Sequence, residues 1–167
     1  MDLKLSKIGS LFIVMVLVGV CANLPSGNCA NFSFYRMWPV LKQPWYFDNP
    51  NGIAIDQSGY VYVADTLNHR IQKYNANGEL ITKWGQRGNA IGEFEEPDGI
   101  AVDRKERVYV ADSMNLRIQV FNSDGLFLDS WTFTGDDYFK PSGIAVDDEG
   151  YVYIVNSDNL GIYKFTE

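Results

Sequence analysis

Two aspartate–arginine combinations stand at matching places in this chain: Asp65 with Arg70 in ADTLNHR, and Asp112 with Arg117 in ADSMNLR. A carboxylate and a guanidinium held together can recognise a charged ligand, or can tie two strands at a corner through paired charged hydrogen bonds. Repetition at one register assigns both pairs to structure: the aspartate accepts turn N–H bonds and the arginine closes the corner. A third copy of the stretch carries Asn156 and Gly161 at these places, so no ion pair forms there, and its corner is expected to be looser or shaped for something else. Asp56, Asp103 and Asp147 recur in the same way. Convergent, they would ligate a cation; taken singly, each opens a turn, and that is the reading adopted.

Other reactive groups are few. His69 is the only histidine, and one imidazole cannot supply the three ligands of a catalytic zinc. No Ser/His/Asp or Cys/His set can be assembled around it. Cys21 and Cys29 are the only cysteines, which excludes a disulfide framework and a thiolate metal cluster. Catalytic residues, metal ligands and cofactor are therefore assigned as none.

Ligand contact is assigned instead to loop residues: Trp45, His69, Arg87, Glu93 and Asp136. Trp45 lies in PVLKQPWYFDNP, where prolines hold the chain stiff. Arg87 stands in a glycine-spaced loop, GQRGNAIG, that lacks the Gly-Lys-Ser/Thr ending of a phosphate loop. His69 is read as an exposed corner-loop histidine. Trp38, Trp84 and Trp131 recur at one strand position and are assigned to packing rather than to stacking on sugars or bases.

The elements that carry these residues are short strands. Residues 97–131 hold four apolar runs, GIAV, VYVA, RIQVF and LFLDSW, separated by polar turns. Asn122, Ser123, Asp124 and Gly125 suit a tight hairpin, since Gly accepts a positive φ. The unit is thus a four-stranded antiparallel meander. It recurs upstream as PNGIAID, YVYVAD, NHRIQKY and ELITKW, and downstream as PSGIAVD, YVYIVN and NLGIYKF. A four-strand repeat every roughly 45 residues is the signature of propeller blades. Blades are expected at about 52–84, 99–131 and 143–165, the last with three strands. Residues 34–38 read as the fourth strand of an incomplete blade. The VYVA runs are apolar on both faces, as in a sheet covered on both sides. Loops 39–49, 66–69, 85–96, 113–116 and 132–140 share one rim, where propeller ligands bind.

Composition bounds the partners. The chain has 167 residues, 46% hydrophobic and 21% charged, with net charge −7. That acidity disfavours nucleic acid and anionic membrane surfaces, which need clustered Lys and Arg. Lys4 and Lys7 precede an apolar run over 11–20 and then Val20, Cys21 and Ala22. This is the pattern of a secretory signal peptide over 1–22; an uncleaved N-terminal anchor or a lipid on Cys21 are the alternatives. Residues 23–33 read as a linker, with Asn31, Phe32 and Ser33 matching a glycosylation acceptor. Localisation is expected to be extracytoplasmic, secreted or tethered to the membrane by the N-terminal segment alone.

The order PxGIAVD, VYVAD, NxRIQVF, G and W over 34–167 resembles the NHL repeat, a blade of six-bladed β-propellers. The resemblance implies an all-β propeller with three blades present, either an open arc or half of a ring. Similar propellers bind RNA, bind protein partners, act as extracellular sensors or work as metal-dependent lyases, so fold alone does not choose among them. The expected role is a non-catalytic binding or scaffold module for a protein, peptide or glycan. The alternatives are a propeller lyase or lactone hydrolase with a metal in the central channel, or a fragment of a longer propeller. A homodimer in which residues 34–38 of each chain complete the other's third blade would close a six-bladed ring.

Overall fold

The computed structural model describes residues 47–133 and 138–166, all within the compact unit Trp38–Glu167. The leader, the linker, the 34–38 segment, Trp38, Trp45, both cysteines and Asp136 lie outside the described residues.

The chain forms three antiparallel meanders. The first is β1 (Pro50–Ile55), β2 (Val61–Asp65), β3 (Arg70–Tyr74) and β4 (Leu80–Trp84). The second is β5 (Pro97–Val102), β6 (Val108–Asp112), β7 (Arg117–Phe121) and β8 (Phe127–Thr132). The third has β9 (Pro141–Val146), β10 (Val152–Asn156) and β11 (Gly161–Phe165). Among the described residues the remaining regular elements are two 3-10 turns, Thr66–Asn68 and Ser113–Asn115. No helix there is long and apolar enough to cross a membrane. The described residues are all-β and make three blades of a propeller.

Each blade opens on its proline, at the first residue of an edge strand, where the missing N–H is tolerated. The first strands β1, β5 and β9 lie side by side on the inside of the arc. They approach backbone to backbone, and glycine permits it. A Cβ on Gly52 would lie 2.3 Å from the Asp98 carbonyl, and one on Gly99 would lie 2.0 Å from the Ser142 carbonyl.

Apolar residues fill the two spaces between blades. Tyr62, Ala64 and Ile71 of the first blade meet Phe94, Ile100, Val108, Val110 and Phe121 of the second. Tyr109, Ala111, Ile118 and Val120 of the second meet Phe139, Val152 and Ile154 of the third. The recurrent tryptophans pack here: Trp84 against Tyr62 and Phe121, Trp131 against Tyr109 and Phe165. Strand β6 is buried throughout because a sheet covers each face; β2 is buried throughout as well, with one face against the second blade and Val61 and Val63 of the other beside Phe47 and Leu80. Strand β10 alternates between buried and open, its far face uncovered among the described residues.

Turn chemistry sets the register. Asp56 Oδ1 accepts the N–H groups of Ser58 and Tyr60 at 2.9 Å, and its Oδ2 accepts the Tyr62 hydroxyl at 3.0 Å. Asp103 and Asp147 repeat this with Tyr109 and Tyr153. In the outer hairpin Asn122 Oδ1 accepts from Asp124 and Leu126 N–H, and Gly125 takes φ 85°.

Candidate ligand-binding rim

The corners between second and third strands and the connections between blades fall at one end of the arc, stitched by backbone bonds. Leu67 N–H donates to the Asp48 carbonyl and Met114 N–H to the Glu95 carbonyl, both within 3.1 Å. Beneath the first two corners lies a carboxylate with no exposed surface. Asp112 accepts from the Glu95 N–H (2.8 Å), Asn115 Nδ2 (3.0 Å), Arg117 Nε (2.7 Å) and Gln119 Nε2 (3.0 Å). Asp65 accepts the matching set: Asp48 N–H, Asn68 Nδ2, Arg70 Nε and Gln72 Nε2. A carboxylate surrounded by four donors holds its loop and has no lone pair free for a ligand. In the third blade, buried Asn156 does a reduced version of the same work. Its Oδ1 accepts from Lys140 and Asp158 N–H, and its Nδ2 donates to the Tyr138 carbonyl.

The 85–96 loop is fixed from below. Arg117 donates to the carbonyls of Asn89, Ala90 and Glu93, and Gln119 binds the Gly92 N–H and the Glu93 carbonyl. Glu93 faces its own loop: its carboxylate accepts from Gln86 Nε2 and the Ala90 N–H, and these bonds hold it below the usual carboxylate range. Arg87 is exposed and forms a fork with Glu95 at 2.9–3.2 Å, which raises the guanidinium pKa and lowers that of the carboxyl. His69 is half-buried in the left-handed region (φ 52°), and its Nδ1 accepts the Glu96 N–H at 3.1 Å. Of the five loop residues assigned to ligand contact, the fold therefore brings His69, Arg87 and Glu93 to the 85–96 loop; Trp45 and Asp136 lie outside the described residues.

Two groups at this rim were not singled out from sequence. The first is the residue between Pro and Gly at the start of each inner strand: Asn51, Asp98 and Ser142. Asn51 Nδ2 donates to Asp98 Oδ1 across the gap between blades. Burial lifts the Asp98 carboxyl above its usual range, against the pull of Lys140 and the Asn51 bond. The available signal was a polar residue of changing identity inside an otherwise constant PxGIA. The second is apolar: Leu67, Met114, Ile91 and Tyr138 are exposed on the corner turns and rim loops.

Among the described residues no three His, Cys, Asp or Glu side chains group closely enough to hold an ion. The turn aspartates at the opposite end surround an open hollow, but each is already engaged by turn N–H groups and a tyrosine.

The sequence matches the SGL family, described as the SMP-30/gluconolactonase/LRE-like region, over residues 47–140, more than half of the chain. No curated protein matches it. Similar solved structures include a catalytically inactive virginiamycin B lyase from Staphylococcus aureus with quinupristin: 13% identity, 71% of this chain, 41% of that one, TM-score 0.53. A streptogramin B lyase matches at 12%, 69% and 39%, TM-score 0.52. A protein of unknown function from Bacteroides caccae matches at 19%, 70% and 42%, TM-score 0.54. At these identities the likeness is one of fold. The chain spans about two fifths of the length of these structures.

Proposed function

This chain belongs to the SMP-30/gluconolactonase/LRE-like family, and from that premise we propose that it is an extracytoplasmic, non-catalytic binding module whose blades are of the NHL type. The ligand is a peptide or protein, or a glycan, held on the rim formed by the corner turns, the 85–96 loop and the axial trio Asn51, Asp98 and Ser142. One observation carries this reading. The buried rim carboxylates Asp65 and Asp112 are saturated by structural donors, while Leu67 and Met114 present apolar surface at the same corners. A rigid rim with apolar anchors and polar neighbours suits recognition. The Lys4/Lys7 charge followed by the apolar run supports export.

The test is retention on peptide and glycan arrays of the full chain and of Leu67→Asp and Met114→Asp. Both substitutions fall on exposed turns, so the fold persists. A ligand whose retention both substitutions abolish supports the module; arrays on which wild type and variants behave alike overturn it. Terminal sequencing of the exported protein tests the leader, with a start near Asn23 expected.

Family membership and the lyase folds among its structural neighbours favour a second reading, a lactone hydrolase or lyase. Turnover of lactones by the full chain with added divalent ions would replace the binding reading.

A further inference from the structure

Both ends of the 85–96 loop close on His69, the only histidine of the chain. At one end, a Cβ on Gly85 would lie 3.1 Å from the His69 carbonyl. At the other, the Glu96 N–H donates to His69 Nδ1 at 3.1 Å. The middle of the loop is held from its own blade, by Arg117 and Gln119. His69 belongs to the first blade, so its ring ties that blade's corner to the entry of the second blade's inner strand.

The acceptor stands where the backbone needs one. Three connections enter the inner strands, and in each an N–H is taken by the corner side chain: that of Asp48 by Asp65, of Glu95 by Asp112 and of Lys140 by Asn156. In the first two, an added residue in the left-handed region separates that N–H from the proline, Asn49 at φ 49° and Glu96 at φ 52°. In the third, Lys140 joins Pro141 directly. An added residue brings an added N–H, and at the first junction between blades the His69 ring takes it. At the second junction the connection has no such residue, and the place of His69 is held by Leu116, in the same left-handed conformation at φ 55°.

A ring nitrogen accepts a hydrogen bond only while it carries no proton. With Nδ1 as acceptor, the neutral ring keeps its proton on Nε2. A second proton makes Nδ1 a donor facing the Glu96 N–H, and the bond is lost. The charged groups around the ring favour that change. On its own corner, Asp65 is engaged by Arg70 at 2.7 Å. From the loop, Arg87 chiefly, and the His69 ring after it, hold the Glu95 carboxyl below the usual carboxylate range, and Gln86 with the Ala90 N–H does the same for Glu93. Glu96 carries a carboxylate on the bonded residue itself, Asp98 lies two residues beyond, and the Asp48 carbonyl takes the Leu67 N–H of the same corner turn. A cationic ring therefore stands in the field of the Glu95 carboxylate while it repels the N–H it had accepted.

We propose that His69 is a proton-sensitive latch on the rim: the neutral ring holds the Glu95–Glu96 end of the 85–96 loop, and the protonated ring lets it go. The bond is present at higher pH and is lost as the pH falls. Arg117 and Gln119 keep the middle of the loop in place, so it loosens at Glu95 and Glu96, beside the Arg87–Glu95 fork and the axial trio. The latch stands on this geometry, and only its consequence for a ligand rests on the binding reading above.

Ring-nitrogen and amide spectra of the full chain, recorded from about pH 8 to about pH 5, span the range in which an ordinary histidine titrates. One imidazole in the chain means that the ring signals belong to His69. Expected at the upper end are the Nε2–H tautomer and a protected Glu96 amide. At the lower end the ring is doubly protonated, and Glu96 protection, corrected for the intrinsic pH dependence of exchange, falls about tenfold or more. The Gly92 N–H, held by Gln119, keeps its protection throughout. His69→Leu, the side chain that the second blade carries in this conformation, should leave Glu96 unprotected at both ends of the range. His69→Gln, whose amide oxygen accepts a bond and takes up no proton, should keep it protected at both. Asp98→Asn removes a nearby carboxyl that burial lifts above its usual range, and should leave the response intact. An Nδ1 that already carries the proton at the upper end, or Glu96 protection equal at both ends, overturns the proposal. So does a response that persists in His69→Leu or disappears in Asp98→Asn, either of which assigns it to a carboxyl. No ligand enters the measurement, so failure of the binding reading leaves its outcome unchanged.

Discussion

Gln119 and Asp112 are joined inside the second blade, Nε2 to Oδ2 at 3.0 Å, and the same amide reaches up to the Glu93 carbonyl at 2.7 Å. One buried side chain thus ties a strand-end carboxylate to the rim loop above it. The rim is an extension of the sheet's own polar interior, and its shape is set by groups no ligand reaches.

Asp112→Ala should therefore unfold the corner as a unit. It strands Arg117, Asn115, Gln119 and the Glu95 N–H, and removal of one member of a buried charged set costs about 3–5 kcal/mol. Asp112→Asn keeps an acceptor for the Glu95 N–H, as Asn156 does for Lys140, and should cost clearly less. Urea midpoints of the two variants give the comparison; equal losses would show that the charge, rather than the acceptor, holds the loop.

The inner glycines make a second, asymmetric prediction. Gly99→Ala drives a methyl into the Ser142 carbonyl of a rigid strand, and the loss should be at least the roughly 1–3 kcal/mol typical of overpacking. Gly143→Ala meets only a side chain at ordinary contact distance and should leave the single chain's stability within about 0.5 kcal/mol of wild type. The two variants are compared by thermal unfolding at low protein concentration, where self-association does not contribute.

Much of this architecture is legible in the sequence, and the limits have a physical cause. PxGIA, VYVAD and RIQ mark strands because β-branched and aromatic runs between Asp and Gly turns have few other solutions. The Asp65 and Asp112 corners are legible because they recur. The amides of Gln72 and Gln119 read only as strand filler, since their bonds run to a corner aspartate and a rim loop that periodicity does not place. His69 reads as an exposed loop residue, but the 85–96 loop folds back over it and takes its Nδ1 as an acceptor. Asn51 and Asp98 meet only when two blades stack, so neither signals a site alone.

Buried tyrosines set an alkaline limit. Burial, with the charge of Asp65, pushes the Tyr74 hydroxyl up to about 12, and burial with Asp103 pushes Tyr109 to about 12. Burial, with the bond to Asp56, raises Tyr62 further still. An unfolded tyrosine ionises near about pH 10. Above that pH the unfolded chain binds fewer protons than the folded one, so stability is full below about pH 10 and falls as pH rises toward 12. Tyrosinate absorbance should rise late and together with loss of the β-sheet spectrum. A smooth titration of all tyrosines near their free value, with the fold intact, would contradict the burial.

Trp84 and Trp131 occupy one position in successive blades but differ in a single bond. Trp131 Nε1 donates to Asp129 Oδ2 at 2.9 Å, whereas Trp84 Nε1 is buried without a partner. The residue matching Asp129 is Thr82, whose side chain is one carbon shorter in reach. A buried donor left unpaired costs about 1–3 kcal/mol. Thr82→Asp places a carboxylate where the second blade has one and should raise stability by about 1 kcal/mol, part of the gain being offset by lost β-branching in the strand. The bond has its own readout, a downfield shift of the Trp84 indole proton in the amide spectrum. A stability gain without that shift would assign the effect to surface charge, and a shift without a gain would mean that the orphaned donor already finds water.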